Sequence, residues 1–273
     1  MCRHLIKTIL TRVRLAVILF LVAALGVPSV AYSSGLSVLC ARGDFLAVRE
    51  LLEEGANPNE IDDEGHTPLT RTVLAGVEAP LSTHLKIISL LFQAGADLDL
   101  GVYLTAEDAV GTMSALHWTV YRGTRFMDMT LLLLEKGADP NLPGALGRPL
   151  HIAAGSSGVS AAHVRLLLSR GADVNATNQW GVTPLVEAVT AANPSPEKIS
   201  VLLEAGADVN VVFDWGEHRG LDVLMAAAMN GSPDVVLLLL GHGAYRFSRC
   251  WEGLTAYDYA LLAGRADNAS LLR

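Results

Sequence analysis

The chain has 273 residues, 51% of them hydrophobic and 18% charged, with a formal net charge of −8. That balance argues against nucleic acid and anionic membrane as partners, since both require a basic footprint, and leaves a basic protein surface as the compatible one. The three cysteines are Cys2, at the head of the chain, Cys40 and Cys250; no C-x-x-C pair and no disulfide framework is read from them, and packing is expected to hold the fold.

Residues 1–14 carry Arg3, Lys7, Arg12 and Arg14, and Leu15–Leu25 is an unbroken apolar run followed by Gly26, Pro28 and small residues up to Ser33. A basic head, a short apolar middle and a small-residue exit read as a secretory signal peptide over 1–33, cut near Ala31 or Ser33. The alternative is an N-terminal membrane anchor, for which the run is short against the roughly 20 residues a span needs. Either reading places residues 34–273 outside the cytoplasm, in the periplasm or secreted, because the positive flank stays inside.

From Leu36 onward the chain reads as helices. Leu46, Val48, Leu51 and Leu52 share one helical face, and Gly55 closes that helix in the left-handed conformation. Thr67-Pro68 opens the next helix with a hydroxyl cap and a proline at the first position, as does Thr183-Pro184. Ser195-Pro196 and Ser232-Pro233 carry the same punctuation. Leu-rich helices are expected at His84–Gln93, Met127–Glu135, Ala161–Ser169, Pro196–Glu204 and Pro233–Leu240. All are far too short to span a membrane.

The punctuation is periodic. Gly55, Gly95, Gly137, Gly171, Gly206 and Gly243 stand 34 to 42 residues apart, and most open a Gly-Ala-Asp/Asn-x-Asn/Asp tip. Thr67-Pro-Leu, Ser114-Ala-Leu-His, Arg148-Pro-Leu-His, Thr183-Pro-Leu and Thr255-Ala-Tyr repeat a second phrase. This wording and period resemble the ankyrin repeat. The resemblance covers about residues 36–273. It implies an all-α solenoid of helix-turn-helix repeats with β-hairpin tips, in six or seven units including degenerate caps. It also implies a non-enzymatic mode of action: binding of a protein on a concave face of tips and first helices.

In that family the histidine of the second phrase ties neighbouring hairpins together, which assigns His117 and His151 a structural role. Thr70, Val186 and Met225 stand in its place elsewhere, so those interfaces should lean on apolar packing. The Asp and Asn residues of the tips do not form a twelve-residue calcium loop, and their short side chains suit turns that cap their own backbone. No nucleophile elbow, phosphate loop or dinucleotide fingerprint is present, and neither a cofactor nor a metal is expected.

Where the pattern is broken, binding is expected. The ordinary distance from tip glycine to cap residue is 11 or 12, but it is 19 from Gly95 to Ser114 and 16 from Gly206 to Asp222. Two long fingers result, 98–112 and 209–220, and a third insertion lengthens the loop around 75–82. Insertions in such arrays go to loops on one face, often the binding face. The second finger offers Phe213, Asp214, Trp215, Glu217 and Arg219, the first Tyr103, Glu107 and Asp108, and Trp180 stands on a tip between them. Aromatic and Arg side chains are the usual anchors. The expected function is a monomeric, non-enzymatic scaffold binding an unidentified protein outside the cytoplasm. Rival readings are an inhibitor or immunity-type protein for a secreted enzyme, an exported effector of host proteins, and an envelope stress-resistance accessory.

Overall fold

The computed structural model describes residues 35–75, 80–106 and 109–273. The segment 1–33, with its expected leader, lies outside the described residues, as do residues 76–79 of the inserted loop around 75–82. Two compact units meet in sequence between Pro149 and Leu150.

The first unit holds α1 (Leu36–Arg42), α2 (Phe45–Glu53), α3 (Pro68–Leu74), α4 (Leu81–Gln93), the hairpin β1 (Val102–Ala106) and β2 (Ala109–Met113), α5 (Ala115–Tyr121) and α6 (Met127–Glu135). The second holds α7 (Pro149–Gly155), α8 (Ala161–Ser169), α9 (Pro184–Thr190), α10 (Pro196–Glu204), the hairpin β3 (Val212–Trp215) and β4 (His218–Asp222), α11 (Val223–Asn230), α12 (Pro233–Gly241), α13 (Ala256–Leu262) and α14 (Ala266–Leu271). The described residues thus form seven helix pairs. Within each unit the pairs pack on one another through Leu, Ile, Val and Ala: Ile87, Ile88, Leu91, Leu116, Met129 and Leu133 fill the core of the first unit, and Leu167, Leu185, Leu202, Met225, Leu239 and Tyr259 that of the second.

Helix ends follow the punctuation. Gly171 has φ +87°, its N–H donates to the Leu168 carbonyl, and the Ala172 N–H donates to that of Leu167. This paired closure satisfies carbonyls the helix would otherwise leave open, at a φ that a Cβ disfavours. The same two bonds recur after α2, α4, α6, α10 and α12. At the starts, Thr67, Thr183 and Ser195 accept an amide from the first turn. Ser232 departs from expectation. It occupies the cap position, but its side chain accepts no cap bond, because the Val235 amide donates to its carbonyl at 3.0 Å instead.

The other ends of the first helices are closed from outside, by the following pair. Lys198 Nζ on α10 donates to the carbonyls of Ala153 (2.9 Å) and Ser156 at the end of α7. Asn230 Nδ2 donates to Val189 (3.1 Å) and Ala191 (2.7 Å) after α9, and Asn268 Nδ2 to Ala228 (3.1 Å) and Gly231 (3.0 Å) after α11. Arg122 does the same for Leu74. Donors and cations suit a helix C-terminus, where unpaired carbonyls carry partial negative charge. Burial nevertheless pushes the Lys198 ammonium down to about 8.

Candidate functional site

The tips are built from backbone-capping side chains, as their composition implied. Asp97, Asp139, Asp173 and Asp208 each accept the amide two residues on, at 2.8–2.9 Å, and Asn57 does so at 3.0 Å. The residue at the far end of the turn then reaches the next tip. Asn59 Oδ1 accepts from the Asp97 amide (2.7 Å) while its Nδ2 donates to the Gly95 carbonyl (3.1 Å). Asn210 repeats this with Tyr245 N–H (3.0 Å) and the Gly243 carbonyl (3.3 Å).

The histidines stiffen the same region. The Ser114 amide donates to His117 Nδ1 (3.3 Å), so that nitrogen carries no proton, and Nε2–H donates to the Leu142 carbonyl (3.1 Å). His151 Nε2 meets the Val182 carbonyl at 2.9 Å. Burial pushes His117 down to about 4. Thr70, which replaces histidine, keeps a polar cap rather than relying on packing alone: its Oγ1 accepts the Thr67 amide at 2.8 Å and its own amide donates to Thr67 Oγ1 at 3.1 Å. Val186 and Met225 are buried apolar contacts, as expected.

Both fingers are antiparallel hairpins. In the first, Val102 pairs with Met113 and Ala106 with Ala109, and the outer strand fixes the next tip through Ala145 N–H to the Thr112 carbonyl (2.9 Å). Tyr103 is exposed on β1; Glu107 and Asp108 lie outside the described residues. In the second, Val212 pairs with Asp222, Phe213 with Leu221 and Trp215 with His218, with an irregularity between Phe213 and Trp215. The strand alternation points Phe213 into the core beside buried Leu221. Phe213 is therefore a packing residue, and its assignment as a partner anchor is corrected.

Trp215 is half-buried, while Asp214, Glu217 and Arg219 are exposed. Asp214 and Arg219 come together in an ion pair at 2.6 Å. The Gly220 amide donates to Asp214 Oδ1 (2.9 Å), and this bond, aided by Arg219, holds the Asp214 carboxyl below its usual range. Trp180 is half-exposed on the tip before α9.

The sequence reading missed a second contributor, the tip after α12. Tyr245, Phe247 and Trp251 expose 67%, 74% and 80% of their surface, and Trp251 N–H donates to the Arg219 carbonyl of β4 (3.3 Å). The Trp251 ring lies on β4 so closely that a Cβ at Gly220 would come within 2.3 Å of its Cδ1. The finger and this tip are thus one surface. The signal was legible in the density of rings between Tyr245 and Trp251, although this tip is of ordinary length.

A family model described as ankyrin repeats in three copies matches residues 116–213 and 191–273, together more than half of the chain. The chain belongs to the ankyrin-repeat family. Human Rabankyrin-5 is 33% identical over 144 residues, and mouse Rabankyrin-5 31% over the same length. Each match takes in 50% of this ankyrin-repeat chain but only 12% of Rabankyrin-5. Among solved structures, the ankyrin repeat domain of Bcl-3, a member of the IkappaB family, superposes with a TM-score of 0.71 at 23% identity, over 88% of this chain and 98% of that one. The human ASB11 ankyrin repeat domain gives 0.66 at 24% identity, over 88% and 98%. An ankyrin repeat domain from Acinetobacter baumannii AYE gives 0.65 at 24% identity, over 77% and 98%. These likenesses carry the fold. Ankyrin repeats as a family mediate protein–protein interaction and are typically non-enzymatic scaffolds. Among the described residues no helix is long and apolar enough to cross a membrane, and no group of three His, Cys, Asp or Glu is placed to hold a metal ion.

Proposed function

We propose that this ankyrin-repeat protein is a non-enzymatic binding scaffold that acts outside the cytoplasm and grips its protein partner with the tips of its later repeats. The observation that carries the binding surface is the set of exposed rings on the tip after α12, Tyr245, Phe247 and Trp251, beside the half-buried Trp215 of the second finger. Large apolar side chains gathered on an exposed surface commonly mark an interaction site. The paired Asp214 and Arg219, and the Asn210 bridge to Tyr245, fix the tips before a partner arrives, so little ordering entropy is lost on binding.

Action outside the cytoplasm is supported by the basic head and apolar run of residues 1–33 alone. N-terminal sequencing of the protein recovered from its own compartment should begin near Tyr32 or Ser34, and an intact Met1 in the membrane fraction would favour the anchor instead. For the surface, a photo-crosslinking residue at position 247 should capture a protein, whereas one at Leu131, on the outer helix α6, should not. Equal capture from both positions, or from Leu131 alone, would move binding off the tips.

A further inference from the structure

Resting on that reading of the tips, we infer that the surface formed by β3, β4 and the tip after α12 takes an arginine-bearing extended segment of its partner. A guanidinium lies against the open face of Trp251 and its charge is met by Glu217 and Glu252.

The first ground is the ring itself. Trp251 is 80% exposed yet fixed: its backbone is bonded to β4 and its indole is laid over Gly220, where no side chain stands in the way. A ring held open in one orientation is a stacking platform. Phe247, on the same tip, adds a second exposed ring.

The second ground is charge. The nearby arginines each have a partner, but only one of them is in an ion pair among the described residues. Arg219 is paired with Asp214 at 2.6 Å, Arg246 donates to the Arg273 carbonyl (3.0 Å), and Arg249 donates to that of Gly253 (2.6 Å). Glu217 and Glu252 are exposed and enter no ion pair among the described residues. The carbonyl bonds leave Arg246 and Arg249 charged, but the hairpin and the tip together carry five acids, Asp214, Glu217, Asp222, Glu252 and Asp258, against three arginines, so the charge around the rings is negative on a chain of net charge −8. An acidic segment would meet repulsion there, whereas a cation meets both carboxylates and ring faces, whose π clouds attract positive charge.

The third ground selects among cations. A guanidinium is flat, weakly hydrated and forked, so it can cover an indole and bond a carboxylate at once, which a compact ammonium cannot. The protein stacks one itself, with Arg122 lying 4.5 Å from the Phe126 ring centroid.

The test is a fluorescence-anisotropy titration of the mature chain with labelled peptides of one length and spacing, carrying arginine, lysine, citrulline or glutamate. The arginine peptide should bind best, the citrulline peptide about tenfold or more weaker, and binding should fall as salt rises. Trp251→Ala should weaken the arginine peptide by about tenfold or more, with an unchanged melting temperature because the ring is exposed. The double variant Glu217→Gln, Glu252→Gln should remove the preference for arginine over citrulline. Equal binding of arginine and citrulline peptides, preference for glutamate, no arginine binding, or indifference to Trp251→Ala would each overturn the inference. The crosslink at position 247 separates this from the broader reading. Capture of a protein there, without arginine preference, rejects the chemistry and keeps the tips as the binding surface.

Discussion

Asn175 clamps the backbone at Asp208: the Asp208 amide donates to Asn175 Oδ1 at 2.8 Å while Asn175 Nδ2 donates to the Gly206 carbonyl at 3.0 Å. Asn59 and Asn210 make the same double bond to their next tips. Asp99 occupies the equivalent place and makes only half of it, accepting the Asp139 amide at 3.0 Å with nothing to donate. Burial, then the carboxylates of Asp139 and Asp97, raise the Asp99 carboxyl above its usual range.

Asp99→Asn should therefore stabilise the protein by about 1 kcal/mol at neutral pH, by supplying a donor for the Gly137 carbonyl and removing a disfavoured charge. A raised carboxyl favours the folded state at low pH, so the gain should shrink as the solution is acidified and Asp99 takes up a proton. Urea midpoints at pH 7 and pH 4 measure both effects. Asn175→Ala should cost about 1–2 kcal/mol in the same assay.

Gly171→Val tests the helix closure. Space is not limiting there, since a Cβ at Gly171 would meet nothing within 4 Å, and the cost is the left-handed backbone alone. The expected loss is about 1–2 kcal/mol, and Gly171→Asn should recover part of it because asparagine tolerates that region better. Thermal melts of the two variants, compared with the parent chain, decide.

His117 links stability to pH. Its folded value of about 4 lies below the ordinary histidine value, so the neutral ring is favoured in the folded state. The stability this confers is whole above about pH 6.5, falls as the unfolded chain takes up protons, and is exhausted near pH 4, for a loss on the order of 3 kcal/mol. Protonation of Nδ1 would also break its bond from the Ser114 amide. Denaturation curves from pH 7 to pH 4 should be less steep in pH for His117→Gln than for the parent.

Phe213 and Trp215, two residues apart, should respond differently. Phe213→Ala removes a core ring and should cost about 3–5 kcal/mol of stability. Trp215→Ala should change stability less, and it should lower partner affinity by about 2 kcal/mol or more if the half-exposed ring is an anchor. Melting temperatures and crosslinking at position 247, measured on both variants, separate core from surface. A collapsed melting point with full capture would make Trp215 a packing residue as well.

What the sequence determined by itself was local. The predicted helices Met127–Glu135, Ala161–Ser169 and Pro196–Glu204 coincide with the observed ones, because their limits are set by Pro, Ser and Gly within one turn of each end. The turn-capping Asp and Asn side chains were legible for the same reason: donor and acceptor are two residues apart. The tertiary structure decided whatever joins distant positions. Strand pairing buried Phe213 opposite Leu221, while Trp215, past the irregularity and opposite His218, stays half-buried. Lys198, Asn230 and Asn268 close helices some 40 residues away, and no local pattern marks them as caps. Trp251 reads in sequence as one ring in a short tip; it became part of a surface only when the next repeat laid it over Gly220, since burial and exposure are properties of the packed neighbours and not of the residue.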